Sequence, residues 1–108
     1  MGESTGALTE AVFYILLSLY RPLHGYGIMQ RVHTLSNGRV NLGAGTLYGA
    51  LSTLVKRGWI EPFGDGTEGD RKKEYRVTKE GRSAVDTEIG RLSELLENGR
   101  DIAGGNGA

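Results

Sequence analysis

The sequence predicts a mainly helical α+β fold, and three observations carry the prediction. Apolar residues recur with helical spacing in four separate stretches. One of these, GAGTLYGALSTLVKRG, sets Leu47, Leu51, Leu54 and Val55 at i, i+4, i+7 and i+8, which is one stripe of a helix, and leaves small or polar groups opposite. It is followed at once by two β-prone segments, Trp59-Ile60 to Phe63 and Glu74 to Val77, that flank the turn-rich, basic DGTEGDRKK. An outward-facing helix followed by a basic hairpin makes a winged helix-turn-helix, with the last helix left over for another task.

Taken in order, the first helix starts from Thr9 as N-cap, with Glu10 in its first turn, and runs to about Tyr20, before Arg21-Pro22. It is apolar nearly all round: Leu8, Val12, Ile15, Leu16 and Leu19 lie on one side, Phe13, Leu17 and Tyr20 on another. One side fills the domain's own core, and the other stays wet unless a second subunit covers it. HGYGIMQRVHTL reads as a second helix with Tyr26, Ile28, Met29 and Val32 among its apolar positions, stopped by Ser36-Asn37-Gly38. Val40, Asn41 and Leu42 are expected as a brief strand. The third helix begins near Ala44 and ends at Gly58, a left-handed cap. Thr78 caps a fourth helix that is expected to end at Asn98-Gly99, with a narrow seam of Val85, Ile89, Leu92 and Leu96 spaced 4, 3 and 4. The organisation expected is a winged helix-turn-helix DNA-binding domain over 8–78, a C-terminal dimerisation helix over 79–98, and disordered ends at 1–7 and 99–108.

With 108 residues there is room for one domain, and the absence of cysteine removes disulfides and thiolate metal sites, which suits a reducing cytoplasm. No apolar run is long enough to span a bilayer, so no membrane partner is expected. His24 and His33 lack clustered carboxylates or thiols, so no metal and no cofactor are expected, and capping or surface roles suit them better. Nucleophile elbows, paired acids and bases, and phosphate-cradling glycine loops are absent, so no catalytic residues and no enzyme are expected. The formal net charge is zero, yet its distribution is not even: Arg21 to Arg57 holds Arg21, Arg31, Arg39, Lys56 and Arg57 with no acidic residue, while the chain's ends are acidic. One face can therefore attract a polyanion.

The residues expected to meet double-stranded DNA are Gly45, Thr46, Gly49, Ser52, Thr53 and Lys56 on the polar side of the third helix. Tyr48 is added at its edge, Arg39 before it, and Arg71, Lys72 and Lys73 in the wing. The alternative for each is a solvated helix face or a solvated hairpin tip. Phe13, Leu17, Val85, Ile89, Leu92 and Leu96 are expected between the subunits of a two-fold homodimer. A reading from another class is a winged-helix protein–protein interaction module that docks partners through the hairpin edge and Trp59. The acid-free span speaks against it.

The blocks HGYGI, GTLYGALSTLVKRGWIE and KKEYRVTKEGR, in this order, resemble the signature blocks of the PadR family of bacterial transcriptional regulators, and the likeness covers about Leu8 to Asn98. A single C-terminal helix resembles its shorter subfamily. The resemblance implies a homodimer on palindromic operator DNA, repression of a nearby operon, and a small-molecule effector site between the C-terminal helices and the first helix. It also places Thr46, Tyr48 and the exposed face after it on the family's DNA-reading helix, and Arg71 to Lys73 in its wing. Two departures stand out. The last helix carries no aromatic residue to stack on a flat ligand, which argues against a pocket for planar drugs, and Ala44 stands where the family commonly has proline.

Overall fold

The computed structural model describes residues 6–64 and 73–105. The elements are α1 (Glu10–Ser18), β1 (Leu23–His24), α2 (Gly25–Leu35), α3 (Ala44–Arg57), β2 (Ile60–Phe63), β3 (Glu74–Val77) and α4 (Lys79–Ala103). The three strands form an antiparallel sheet in the order β1-β3-β2, with Leu23 opposite Tyr75 and Ile60 opposite Val77. This is the mainly helical α+β winged helix that the sequence predicts.

Local chemistry sets the boundaries. Thr9 accepts the Val12 amide at 3.1 Å to start α1. His24 caps α2 with its ring, Nδ1 accepting the Gly27 amide at 3.0 Å. Gly58, at φ 79°, closes α3 in the left-handed conformation that glycine adopts without steric cost. Thr78 then joins two helices: its hydroxyl accepts the Gly81 amide at 3.0 Å and donates to the Gly58 carbonyl at 2.6 Å. Gly81 sits so close to the Trp59 carbonyl oxygen and the Val77 side chain that a Cβ there would overlap both.

The expected elements need correction at three places. The strand at Val40–Leu42 does not form. There the Val40 amide donates to Ser36 Oγ at 2.9 Å and the Asn41 side-chain amide donates to the Gly38 carbonyl at 3.0 Å, so the segment is tied to the end of α2. The strand that completes the sheet is Leu23–His24 instead. At the end of α1, Leu19 and Tyr20 donate to Leu16 and Leu17 in tighter turns, so the α-helix stops at Ser18. And α4 passes through Gly99 to Ala103, ending at Gly104 with Gly105 left-handed at φ 91°. Residues 99–103 are thus helical rather than disordered.

The core joins Ile15, Leu16 and Leu19 of α1, Ile28 and Val32 of α2, and Leu47, Leu51 and Leu54 of α3 to Ile60, Val77 and Val85. Val55, assigned to the α3 stripe, is 37% exposed, and Tyr26, assigned to the apolar side of α2, is 64% exposed. Val85, expected between subunits, is 1% exposed within the protomer's own core. The Cα radius of gyration is 16.1 Å, against about 13 Å for a compact chain of this length. The excess comes from α4, whose residues beyond Arg91 are all exposed and project as an arm.

Candidate nucleic-acid interface

α3 is held by three buried leucines, with Ala50 half-buried beside them, and shows its other residues. Burial of Leu47, Leu51 and Leu54 fixes its rotation, and Gly45, Thr46, Gly49, Ser52, Thr53 and Lys56 consequently all face solvent, as the sequence predicts. A Cβ built at Gly45 or Gly49 would meet nothing within 4 Å, so at these positions a flat surface such as a base edge could approach the backbone closely. The helix starts at Gly43 with no side-chain cap and no acidic residue in its first turn. Its first-turn amides and the positive end of its dipole therefore favour an anion.

Tyr48 is half exposed at the edge of this face, and its ring lies across Gly25 at the start of α2. A Cβ at Gly25 would collide with the Tyr48 hydroxyl, so the glycine of HGYG and the tyrosine of TLYG fit as a pair. A groove then runs between α3 and the sheet, lined by Tyr48, Ser52, Val55, Lys56, Pro62, Lys73 and Tyr75. Lys73 stands with its Nζ 5.8 Å from the centre of the Tyr75 ring. Among the described residues Lys56 has no acidic partner. Two ammonium groups, two phenols and a hydroxyl along one groove are donors suited to phosphate oxygens.

The remaining cations are sorted by their neighbours. Arg39 forms an ion pair with Glu10 at the start of α1, a hydrogen bond that also raises its guanidinium above the ordinary value. Both groups are largely exposed, so a phosphate could compete for Arg39. Arg57 lies over the Trp59 ring, 5.0 Å from its centre. Arg76 pairs with Glu61 across the hairpin at 2.8 Å and stacks on Phe63, which turns it to the sheet's own use. Arg71 and Lys72 lie outside the described residues. Tyr26, Gln30, Arg31 and Thr34 on the outer side of α2 were not among the expected contacts, although the first helix of a helix-turn-helix crosses the DNA backbone. Gln30 donates to the Tyr26 hydroxyl at 3.4 Å. Of these four only Tyr26 reads as core in the sequence, because a tyrosine falls there at helical spacing.

Of the expected subunit contacts, Phe13 and Leu17 on α1 are half buried, whereas Ile89, Leu92 and Leu96 on α4 are 47%, 41% and 55% exposed, with Leu95 and Ile102 beside them at 53% and 72%. His33 is engaged with the Asn41 side chain at 2.6 Å. Among the described residues no cluster of His, Cys, Asp and Glu could hold a metal, and no helix is long and apolar enough to cross a membrane.

A three-helix core, a three-stranded wing and an exposed third helix define the winged-helix DNA-binding class. The model of the transcriptional regulator PadR-like family matches residues 13–87. The chain belongs to this family, whose members are DNA-binding transcriptional regulators rather than enzymes. A PadR-like transcription factor from Bacteroides fragilis is 26% identical, with a TM-score of 0.67 over 85% of this chain and 87% of that one. A PadR family transcription regulator from Clostridium difficile, 19% identical, has the same fold with a TM-score of 0.71 over 88% of this chain and 99% of the other. An uncharacterized protein of Lysinibacillus sphaericus is 29% identical over 93 residues, 85% of this chain and 84% of its own length.

Proposed function

We propose that the protein is a homodimeric repressor of a nearby operon, in which two copies of α3 enter successive major grooves of a palindromic operator and the wings follow the backbone beside them. The observation that carries this reading is the outward face of α3: Gly45, Thr46, Gly49, Ser52, Thr53 and Lys56 together, small, polar and free of acid, beside the Lys56–Lys73 groove. Thr46, Gly49, Ser52 and Thr53 suit base edges. Tyr48, Lys56, Lys73 and Arg39 suit phosphates, and Arg71 and Lys72 are assigned there by their place in the wing. The exposed stripe of Ile89, Leu92 and Leu96, with Phe13 and Leu17 of α1, supports pairing with a second copy by isologous surfaces. An effector bound between the terminal helices would shift the dimer toward a half-site distance that no longer fits, and so release the DNA.

Fluorescence anisotropy on a labelled duplex from the gene's own upstream region, at two salt concentrations and against a scrambled competitor, tests the proposal. Specific binding by two chains per site, weakening steeply with salt, is the expected result. Equal weak binding to both duplexes would favour the protein-interaction module, with Trp59 and the hairpin edge as its contact.

A further inference from the structure

α4 presents one stripe that changes partners midway. Gly81, Val85 and Glu88, spaced 4 and 3, are its buried residues and face the protomer's own body. Continued by the same spacing, the stripe becomes Leu92, Leu95 and Leu96, all of them exposed. Glu88 stands at the changeover, and it is a carboxylate in an otherwise apolar or small-residue row, 2% exposed. It is satisfied there. Arg91 donates to it through Nε at 2.9 Å and through its terminal nitrogen at 2.5 Å, and the Leu8 amide, from the segment leading into α1, donates at 3.4 Å. Gly90, just past this anchor, has nothing within 4 Å of a Cβ built there, and a glycine inside a helix leaves the backbone freer than alanine would.

A well-packed apolar residue commonly serves stability as well as a buried ion pair or better, because removing charges from water is costly. A charge retained at such a place is more readily understood as fixing an orientation, as a single polar residue fixes register in a coiled coil. The geometry points to Glu88 as a positioning residue: by tying α4 to the segment leading into α1 through the Leu8 amide, with Arg91 of the same helix holding the carboxylate in place, it sets the angle at which the arm leaves the body and hence the separation of the two recognition helices in the dimer. This rests on the dimer proposed above. The leverage is large, since the helix from Glu88 to Ala103 spans about 22 Å. A rotation of about 10° at Glu88 therefore moves one body by about 4 Å, close to the rise of one base pair, roughly 3.4 Å.

The chain has no cysteine, so Thr34→Cys on the exposed side of α2 takes one spin label per protomer. Pulsed dipolar spectroscopy of the full chain then reads the distance between the two bodies. The wild-type background should give one narrow distance. Glu88→Leu, which keeps the bulk and loses all three hydrogen bonds, should broaden that distribution or shift it by about 4 Å, of the order of the lever estimate above, with melting unchanged to within a few degrees. Glu88→Gln, which retains one oxygen able to accept from both the Leu8 amide and Arg91 Nε, should keep the wild-type distance. Should Glu88→Leu fail to fold, Arg91→Leu, at a position one-third exposed, should broaden the distance in its place. A distribution that superimposes on the wild type in either apolar variant overturns the inference while leaving the dimer intact. Absence of any pair distance in the wild-type background overturns the dimer, and this inference with it.

Discussion

α3 and α4 are both amphipathic helices with an apolar stripe, and they use it in opposite ways. α3 hides its stripe, with Leu47, Leu51 and Leu54 at 0%, 1% and 3% exposure, and shows a polar face without acid. α4 buries one side at Gly81, Val85 and Glu88 and then shows its stripe, with Ile89, Leu92, Leu95 and Leu96 all above 40% exposure. A polar face kept small and free of acid suits a polyanion, whereas an apolar face kept exposed suits another protein surface. One protomer thus separates the surface that would read DNA from the surface that would pair with its copy, and Glu88 lies at the junction.

Charging the exposed stripe is expected to have the largest effect. Leu92→Glu with Leu96→Glu should give a monomer by sedimentation and lower operator affinity by about 10²- to 10⁴-fold, because the second half-site loses its effective concentration. A dimer that persists would place the interface elsewhere. Attacking the hidden stripe should act on folding instead: Leu51→Ala should cost about 2–5 kcal/mol in urea unfolding, whereas Leu96→Ala should register in the dimer dissociation constant. Gly81→Ala sharpens the same contrast at the buried root of α4. There the new methyl meets the Trp59 carbonyl and Val77, and a loss of about 1–3 kcal/mol is expected.

On the polar side, Lys56→Ala should weaken binding about equally to operator and scrambled duplex, and should reduce the slope of log affinity against log salt by about 1. A selective loss on the operator would make Lys56 a reader of bases. The smallest effect concerns pH. The hydrogen bond from Arg91 holds the Glu88 carboxyl below its ordinary range, outweighing the opposing effect of burial. A carboxyl whose folded pKa is depressed contributes stability above the unfolded value, about 4.3, and loses it as pH falls through the folded value. Glu88→Gln should accordingly flatten the acid limb of the stability curve, read by thermal melting from neutral pH downward. An unaltered limb would show that Glu88 gains nothing from its charge.

The contrast between the helices was legible in the sequence to different depths. The bounds and the three buried leucines of α3, though not the place of Val55, could be read because its 3.6-residue period, its Gly58 cap and the β-prone segment after it all agree. α4 was legible in type but not in length: Gly99 reads as a stop, yet the helix continues through Arg100 to Ala103 and ends where Gly104 and Gly105 come together. β1 is a two-residue strand defined only by its pairing with β3, and two residues carry no period. Val85 was placed in the seam because a heptad pattern cannot tell the protomer's own core from a partner's surface. Glu88 was invisible for the opposite reason, since a glutamate on a helix rich in charge reads as solvated until the fold brings Leu8 to it.

The most direct test of the central claim is hydroxyl-radical protection of the gene's own upstream DNA by the full chain. A two-fold dimer should leave protected patches related by a two-fold axis, with half-sites centred about one helical turn apart, roughly 10–10.5 base pairs. A single patch without two-fold symmetry, or none where the duplex is bound, would contradict it.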